Sequence, residues 1–177
     1  IKELFVDIGA ADGYFAVGFA FCDFFENIYA YEISREARKK IKKNAIRNNC
    51  LDKIKIKNQA NIKSLVEIEQ KFRSGMILID IEGSEYDLLD EKILSLLKNF
   101  HLIIEMHPFL VKDGFIKNQK LIFDAEKYFN IDISVRKNYS PYKFEDLSQF
   151  TEDEQLLALS EGRSEKTEWL LLSPKTL

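Results

Sequence analysis

Short apolar runs separated by helical patterns recur along this chain, and that alternation constrains its fold more than any other feature. "ELFVDI" (3–8) is apolar and β-prone, as a strand buried on both faces must be. "NIYAYEI" (27–33), "KIKIKN" (53–58), "GMILIDI" (75–81), "FHLIIEM" (100–106), a run over 128–136 and "EWLLLS" (168–173) read as six further strands. Helical patterns lie between them. One runs from Gly13 to about Phe24. "SREARKKIKKNAIRNN" (34–49) takes Ser34 as its N-cap and sets Ala37, Ile41 and Ala45 on one face. Another covers 62–72. "GSEYDLLDEKILSLLK" (83–98) reads as one helix entered through a Ser84-x-x-Asp87 capping box. Helices over 117–127 and 151–160 follow, and loops are expected at 107–116 and 137–150.

This order implies an α/β fold: a mostly parallel sheet with helices on both faces, joined by right-handed crossovers. In such sheets a ligand binds outside the carboxyl ends of the strands, where strand order reverses. The residues at those ends are Asp7, Glu32, Asn58 with Gln59, Asp80 with Glu82, and Glu105 with His107. Five successive strands therefore end in groups able to bind or react.

A chain of 177 residues is long enough for one domain with a proper core, so 1–177 is expected to be a single domain. It begins at Ile1, with a strand almost at once, and a natural N-terminal segment is expected to precede it. No apolar run reaches the roughly 18 residues that span a bilayer, so no membrane partner is expected. Cys22 and Cys50 lack metal-ligand spacing and suggest free thiols in a reducing compartment, which points to the cytoplasm.

The net charge of −3 exerts no general pull on nucleic acid. Residues 34–57 do carry ten Lys and Arg against Glu36 and Asp52, while 145–168 carry eight acids against Arg163 and Lys166. The basic run is either a polyanion-binding stripe or a solvated helix face. The second is favoured, because no aromatic residues interleave the lysines to stack bases. A nucleic-acid partner is therefore not expected.

The stretch "FVDIGAADGYF" (5–15) carries the chemistry. Gly9 and Gly13 permit close backbone approach, and the helix start behind them offers free N–H donors. A dinucleotide fold would use G-x-G-x-x-G with pyrophosphate on that helix end. Here an acid, Asp7, precedes G-x-x-x-G; it would repel pyrophosphate and suit a cationic amino-acid end. Glu32, at the end of the second strand, matches an acid that holds ribose hydroxyls. A nucleoside with a cationic amino-acid tail is S-adenosyl-L-methionine. The alternative is that Gly9 and Gly13 only make a tight turn while Glu32 caps the helix after it.

At these residues the sequence resembles class I S-adenosylmethionine-dependent methyltransferases, specifically the FkbM type. "FVDIGAADGYFA" resembles that family's cofactor loop, with Ala11 where many relatives have asparagine. "YEISREARKKIKKNAIRNN" is similar to its second strand and following helix. "LIDIEGSEYDLL" looks like its aspartate-x-glutamate-glycine-x-glutamate segment, and "LIIEMHP" like its fifth strand. The likeness covers roughly residues 3–108 and resumes only at "WLLLSPK". It implies a Rossmann-like, seven-stranded sheet with an antiparallel last strand. It also implies an enzyme transferring methyl groups, mostly to hydroxyl oxygens of sugars, glycans or other small molecules. By the same likeness Asp7, Gly9, Ala11 and Gly13 would surround the methionine portion of S-adenosylmethionine, Glu32 would hold the ribose, and Ile33 would pack on the adenine. Gln59 and Ala60 would lie near the adenine amino group, where relatives place an acid and a small residue. Asp80 would face the reactive end.

A hydroxyl acceptor is a poor nucleophile at neutral pH and calls for a base or an acidifying metal. His107, just past the fifth strand, is the first choice for the base. The alternative is a histidine that only ties down a loop. His101, inside the strand, reads as structural. Asp80, Glu82 and Glu105 complete the expected catalytic set. With Glu85 they are oxygen-rich enough for Mg²⁺ or Ca²⁺, but no metal is assigned. Glu85 suits a helix dipole and Asp87 a cap. Tyr139, Tyr142 and Lys143 are placed at the pocket opening. The alternatives kept open are an RNA or protein acceptor, and a non-catalytic cofactor-binding module.

Overall fold

The computed structural model describes residues 2–135, 143–159 and 167–175. The strands are β1 (Lys2–Ile8), β2 (Phe25–Tyr31), β3 (Ile54–Lys57), β4 (Met76–Ile79), β5 (His101–Met106), β6 (Phe129–Val135) and β7 (Glu168–Pro174). The helices are α1 (Tyr14–Phe21), α2 (Arg35–Arg47), α3 (Ile62–Lys71), α4 (Glu85–Leu88), α5 (Glu91–Leu96), α6 (Gly114–Ala125) and α7 (Glu152–Leu159). They build one seven-stranded sheet in the order β3-β2-β1-β4-β5-β7-β6. The first five strands pair in parallel, and β7 runs antiparallel to both β5 and β6. The strand order reverses between β1 and β4, so the predicted switch point exists there.

Pleating decides which residue meets which layer. In β1, Leu4, Val6 and Ile8 face one core with Ile77, Ile79, Leu102, Ile104 and the helix residues Leu65 and Leu94. Phe5 faces the other, packed with Ala16 and Val17 of α1 and Ile41 of α2. Phe5 is 1% exposed, a burial that contributes about 1.5–3 kcal/mol. Asp7, two residues on, points to that same second face beneath the start of α1.

Three local expectations fail. The segment 83–98 is not one helix: α4 is a single turn, and Asp90 starts α5 by accepting the Ile93 amide at 2.9 Å. An aspartate inside the run competes with the helix it interrupts. Nor does the Ser84-x-x-Asp87 capping box form, since the Ser84 side chain makes no cap hydrogen bond. In addition, α6 begins at Gly114, within the expected loop. The Ser34 cap does form, accepting the Ala37 amide at 3.2 Å.

Candidate active site

Register brings the strand ends together. Ile8 lies opposite both Tyr31 and Ile79, and Ile79 opposite Ile104. One residue further on, Gly9, Glu32, Asp80 and Glu105 follow from four adjacent strands. The Asp80 amide donates to the Ile8 carbonyl at 2.9 Å, extending the β1–β4 contact past the sheet. At that distance a side chain cannot fit at Gly9: a Cβ would lie 1.8 Å from the Asp80 carbonyl oxygen, and φ is +89°.

A cavity of about 620 Å³ opens at this edge. Of the predicted residues, Gly9, Ala11, Glu32, Ile33, Gln59, Ala60, Asp80 and Glu82 line it. Asp7 and Gly13 do not. Asp7 is 2% exposed, and its Oδ2 accepts the Ala16 amide at 3.2 Å, capping α1 from below. Gly13 closes the turn with φ +90° and donates to the Ala10 carbonyl at 2.7 Å. Asp87, read as a cap, instead lines the cavity. Asn61 and Ile62 line it too and carried no sequence signal of their own.

Glu32 binds both flanks of the cavity. Its Oε2 accepts the Ala11 amide at 2.9 Å and its Oε1 accepts the Ser34 amide at 2.7 Å. A carboxylate has about four acceptor sites, so ribose hydroxyls can still be accommodated. Arg38, which sequence reasoning did not single out, braces the Glu32 end of the site. Its Nη1 donates to the carbonyls of Glu32 at 2.6 Å and Ile33 at 2.7 Å, and to Asn58 Oδ1 at 3.0 Å, tying the ends of β2 and β3.

Behind the cavity stands His107, fully buried with its neighbour Glu85. Glu85 Oε1 accepts the His107 amide at 2.9 Å and Oε2 accepts the Gly83 amide at 2.8 Å. The same Oε1 lies 3.3 Å from His107 Nδ1. The opposite nitrogen, Nε2, is 3.5 Å from Glu82 Oε2, 3.7 Å from Asp80 Oδ1 and 3.9 Å from Glu105 Oε2. These are ion-pair distances; neither ring nitrogen makes a hydrogen bond of normal geometry. His101, by contrast, is exposed at the start of β5.

Burial shifts these groups. It raises the Asp7 carboxyl to about 7, against the Ala16 amide, with Asp80 and Glu32 adding repulsion. Burial also raises Asp80 to about 7, helped by a hydrogen bond and repulsion from Glu105 and opposed by His107. For His107 burial acts downward, but Glu85, with Glu82 and Glu105, outweighs it and lifts the imidazole above its usual 6.5. The site therefore holds groups that can gain or lose a proton near neutrality.

No protein-family model matches the sequence, and no curated protein matches it. Solved structures do. Over 98% of its length the chain superposes on the B. subtilis m1A22 tRNA methyltransferase TrmK, at 11% identity and a TM-score of 0.62. It superposes over 97% of its length on the O-methyltransferase from Bacillus cereus in complex with SAH, at 13% identity and a TM-score of 0.59. The fold is the class I methyltransferase fold. The chain spans 61% of TrmK, less than two thirds of its length, and 74% of the B. cereus enzyme. The methyltransferase fold is not confined to one chemistry: precorrin 8w decarboxylase from Methanobacterium thermoautotrophicum also matches, over 98% of this chain and 82% of its own, at 13% identity and a TM-score of 0.53. Tyr139 and Tyr142 lie outside the described residues, and Lys143 is exposed. Among the described residues no helix is long and apolar enough to cross a membrane, and both cysteines are free thiols.

Proposed function

We propose that this chain is an S-adenosylmethionine-dependent methyltransferase. The observation that carries the reading is the cavity at the β1–β4 switch point, where Gly9 admits close backbone approach and Glu32 holds the loop open on its wall. Its volume suits a nucleoside-sized ligand. Glu32, Ile33 and Ala60 would hold the nucleoside, Gly9 and Ala11 the amino-acid portion, and Asp80 the reacting end. When bound, the sulfonium supplies an activated methyl group. The protein's residues have to align the acceptor and take its proton. Titration calorimetry tests the reading: heat with S-adenosylhomocysteine and none with NAD is expected, and the reverse overturns it.

Two acceptor classes remain in play. The tRNA methyltransferases among the structural neighbours favour RNA over the glycan hydroxyl that the motifs suggested. A shallow groove lined by Arg35, Arg38, Lys39 and Lys42 adjoins the Glu32 end of the cavity and offers phosphate contacts. The O-methyltransferase among the neighbours, and the carboxylate-ringed His107, support a hydroxyl acceptor of the FkbM kind. Methyl transfer from labelled cofactor to tRNA and to a panel of sugars and small hydroxyl compounds separates the two. An RNA acceptor predicts affinity that falls steeply with salt.

A further inference from the structure

His107 is wholly buried; its Nδ1 is backed by Glu85 at 3.3 Å, while Nε2 makes no hydrogen bond and has only carboxylate oxygens 3.5–3.9 Å away, an expensive arrangement for a buried nitrogen unless a cation engages it. Beside it, Asp80 Oδ1 is buried without a hydrogen-bond partner, 3.7 Å from Nε2. On its Nδ1 side the ring faces the fully buried Glu85, which is itself held by two backbone amides. Nε2 is thereby turned toward Asp80, Glu82 and Glu105. One donor atom each from Asp80, Glu105 and His107 lies within 4.8 Å of the others. Metal–ligand bonds of about 2.1 Å set neighbouring donors roughly 3.0–3.5 Å apart and opposite donors about 4.2 Å apart. The Nε2–Asp80 and Nε2–Glu105 distances of 3.7 and 3.9 Å are within a small side-chain adjustment of such a shell.

We propose that Asp80, Glu105 and His107 hold a divalent transition-metal cation at the carboxyl ends of β4 and β5, with Glu82 in reach as a fourth ligand. A nitrogen donor among carboxylates suits Mn²⁺ or Zn²⁺ better than the all-oxygen preference of Mg²⁺ or Ca²⁺. Glu85 takes the role of the carboxylate behind a metal-bound histidine, fixing the ring so that Nε2 faces the ion. This goes against the sequence expectation of no metal. Because Asp80 also lines the cavity, the cation borders the space where an acceptor binds. A hydroxyl coordinated there would be acidified and would give its proton up to solvent through the open cavity, since His107 as a ligand could not take it. That last step rests on the methyltransferase reading, whereas the site itself does not.

The chain contains only two histidines, His101 and His107, and they stand at opposite ends of β5. Zinc titration followed by NMR of the imidazole resonances therefore separates a built site from surface binding without any substitution. One equivalent of Zn²⁺ is expected to move the His107 signals and leave those of His101 in place. Calorimetry with Zn²⁺ and Mn²⁺ should give a single site, weakened at least tenfold by Glu105→Gln or His107→Gln, with Mg²⁺ binding more weakly. No binding, or binding that leaves His107 unmoved, overturns the proposal. Retained S-adenosylhomocysteine binding in that event would show that the methyltransferase reading survives it.

Discussion

The Glu32 carboxylate reaches back across 21 residues to hold the Ala11 amide at 2.9 Å, so the second strand clamps the loop that follows the first. Its other oxygen holds Ser34 at 2.7 Å, and one side chain thus sets two walls of the cavity. Glu32→Ala removes both hydrogen bonds, each worth about 1–3 kcal/mol to a charged acceptor. Calorimetry should show S-adenosylhomocysteine affinity reduced at least tenfold, with a smaller loss of thermal stability. Unchanged affinity would mean that the cavity is not the cofactor site.

Glycines at two places should respond oppositely to alanine. At Gly9 the new Cβ would meet the Asp80 carbonyl at 1.8 Å in a backbone of φ +89°, so Gly9→Ala should cost more than about 3 kcal/mol in denaturant unfolding. Gly18 lies within α1 with no neighbour inside 4 Å of such a carbon. Gly18→Ala should stabilise the chain by about 0.5–1 kcal/mol.

Ala11 sits at φ +47°, a left-handed conformation that costs a residue with a Cβ about 1–2 kcal/mol. Ala11→Gly or Ala11→Asn should recover part of that strain. Either variant should melt higher while still binding S-adenosylhomocysteine.

Glu85 accepts two buried amides, from Gly83 and His107, and anchors the ring from behind. Glu85→Ala leaves both donors unsatisfied at about 1–3 kcal/mol each. Unfolding free energy should fall by several kcal/mol, and the His107 imidazole should titrate lower than in the unsubstituted chain. The first effect without the second would make Glu85 a packing residue only.

Acidity should change stability in one direction. The carboxyls of Asp7 and Asp80 rise from 3.8 to about 7 on folding, so between those values the folded chain binds protons the unfolded chain has lost. Their stabilising share is complete below pH 3.8 and disappears as pH rises through 7. The raised imidazole of His107 acts with the same sign, its share being lost above its folded pKa. The melting temperature should therefore fall between about pH 5 and pH 8, and Asp7→Asn should make the slope shallower.

The alternation of apolar strands with helical runs, from "ELFVDI" to "EWLLLS", was enough to establish an α/β sheet, because period and burial are local properties of the chain. Which residues end the strands was equally legible, and Gly9, Glu32, Asp80 and His107 were all singled out. Direction was not. Asp7 follows Phe5 by two positions, so the pleat turns it under α1 and away from the cavity that its place in the motif suggested. Asp90 breaks a continuous helical pattern through a local contact, its side chain capping the Ile93 amide three residues on, which apolar periodicity alone does not reveal. Glu85 and Arg38 matter through partners 22 and 20 residues away, separations at which a linear pattern carries no information. Composition and periodicity decided the scaffold by burying apolar surface. Register between β1, β4 and β5 decided the core of the site, because it brings Asp80 and Glu105 from two neighbouring strand ends within 4 Å of one imidazole.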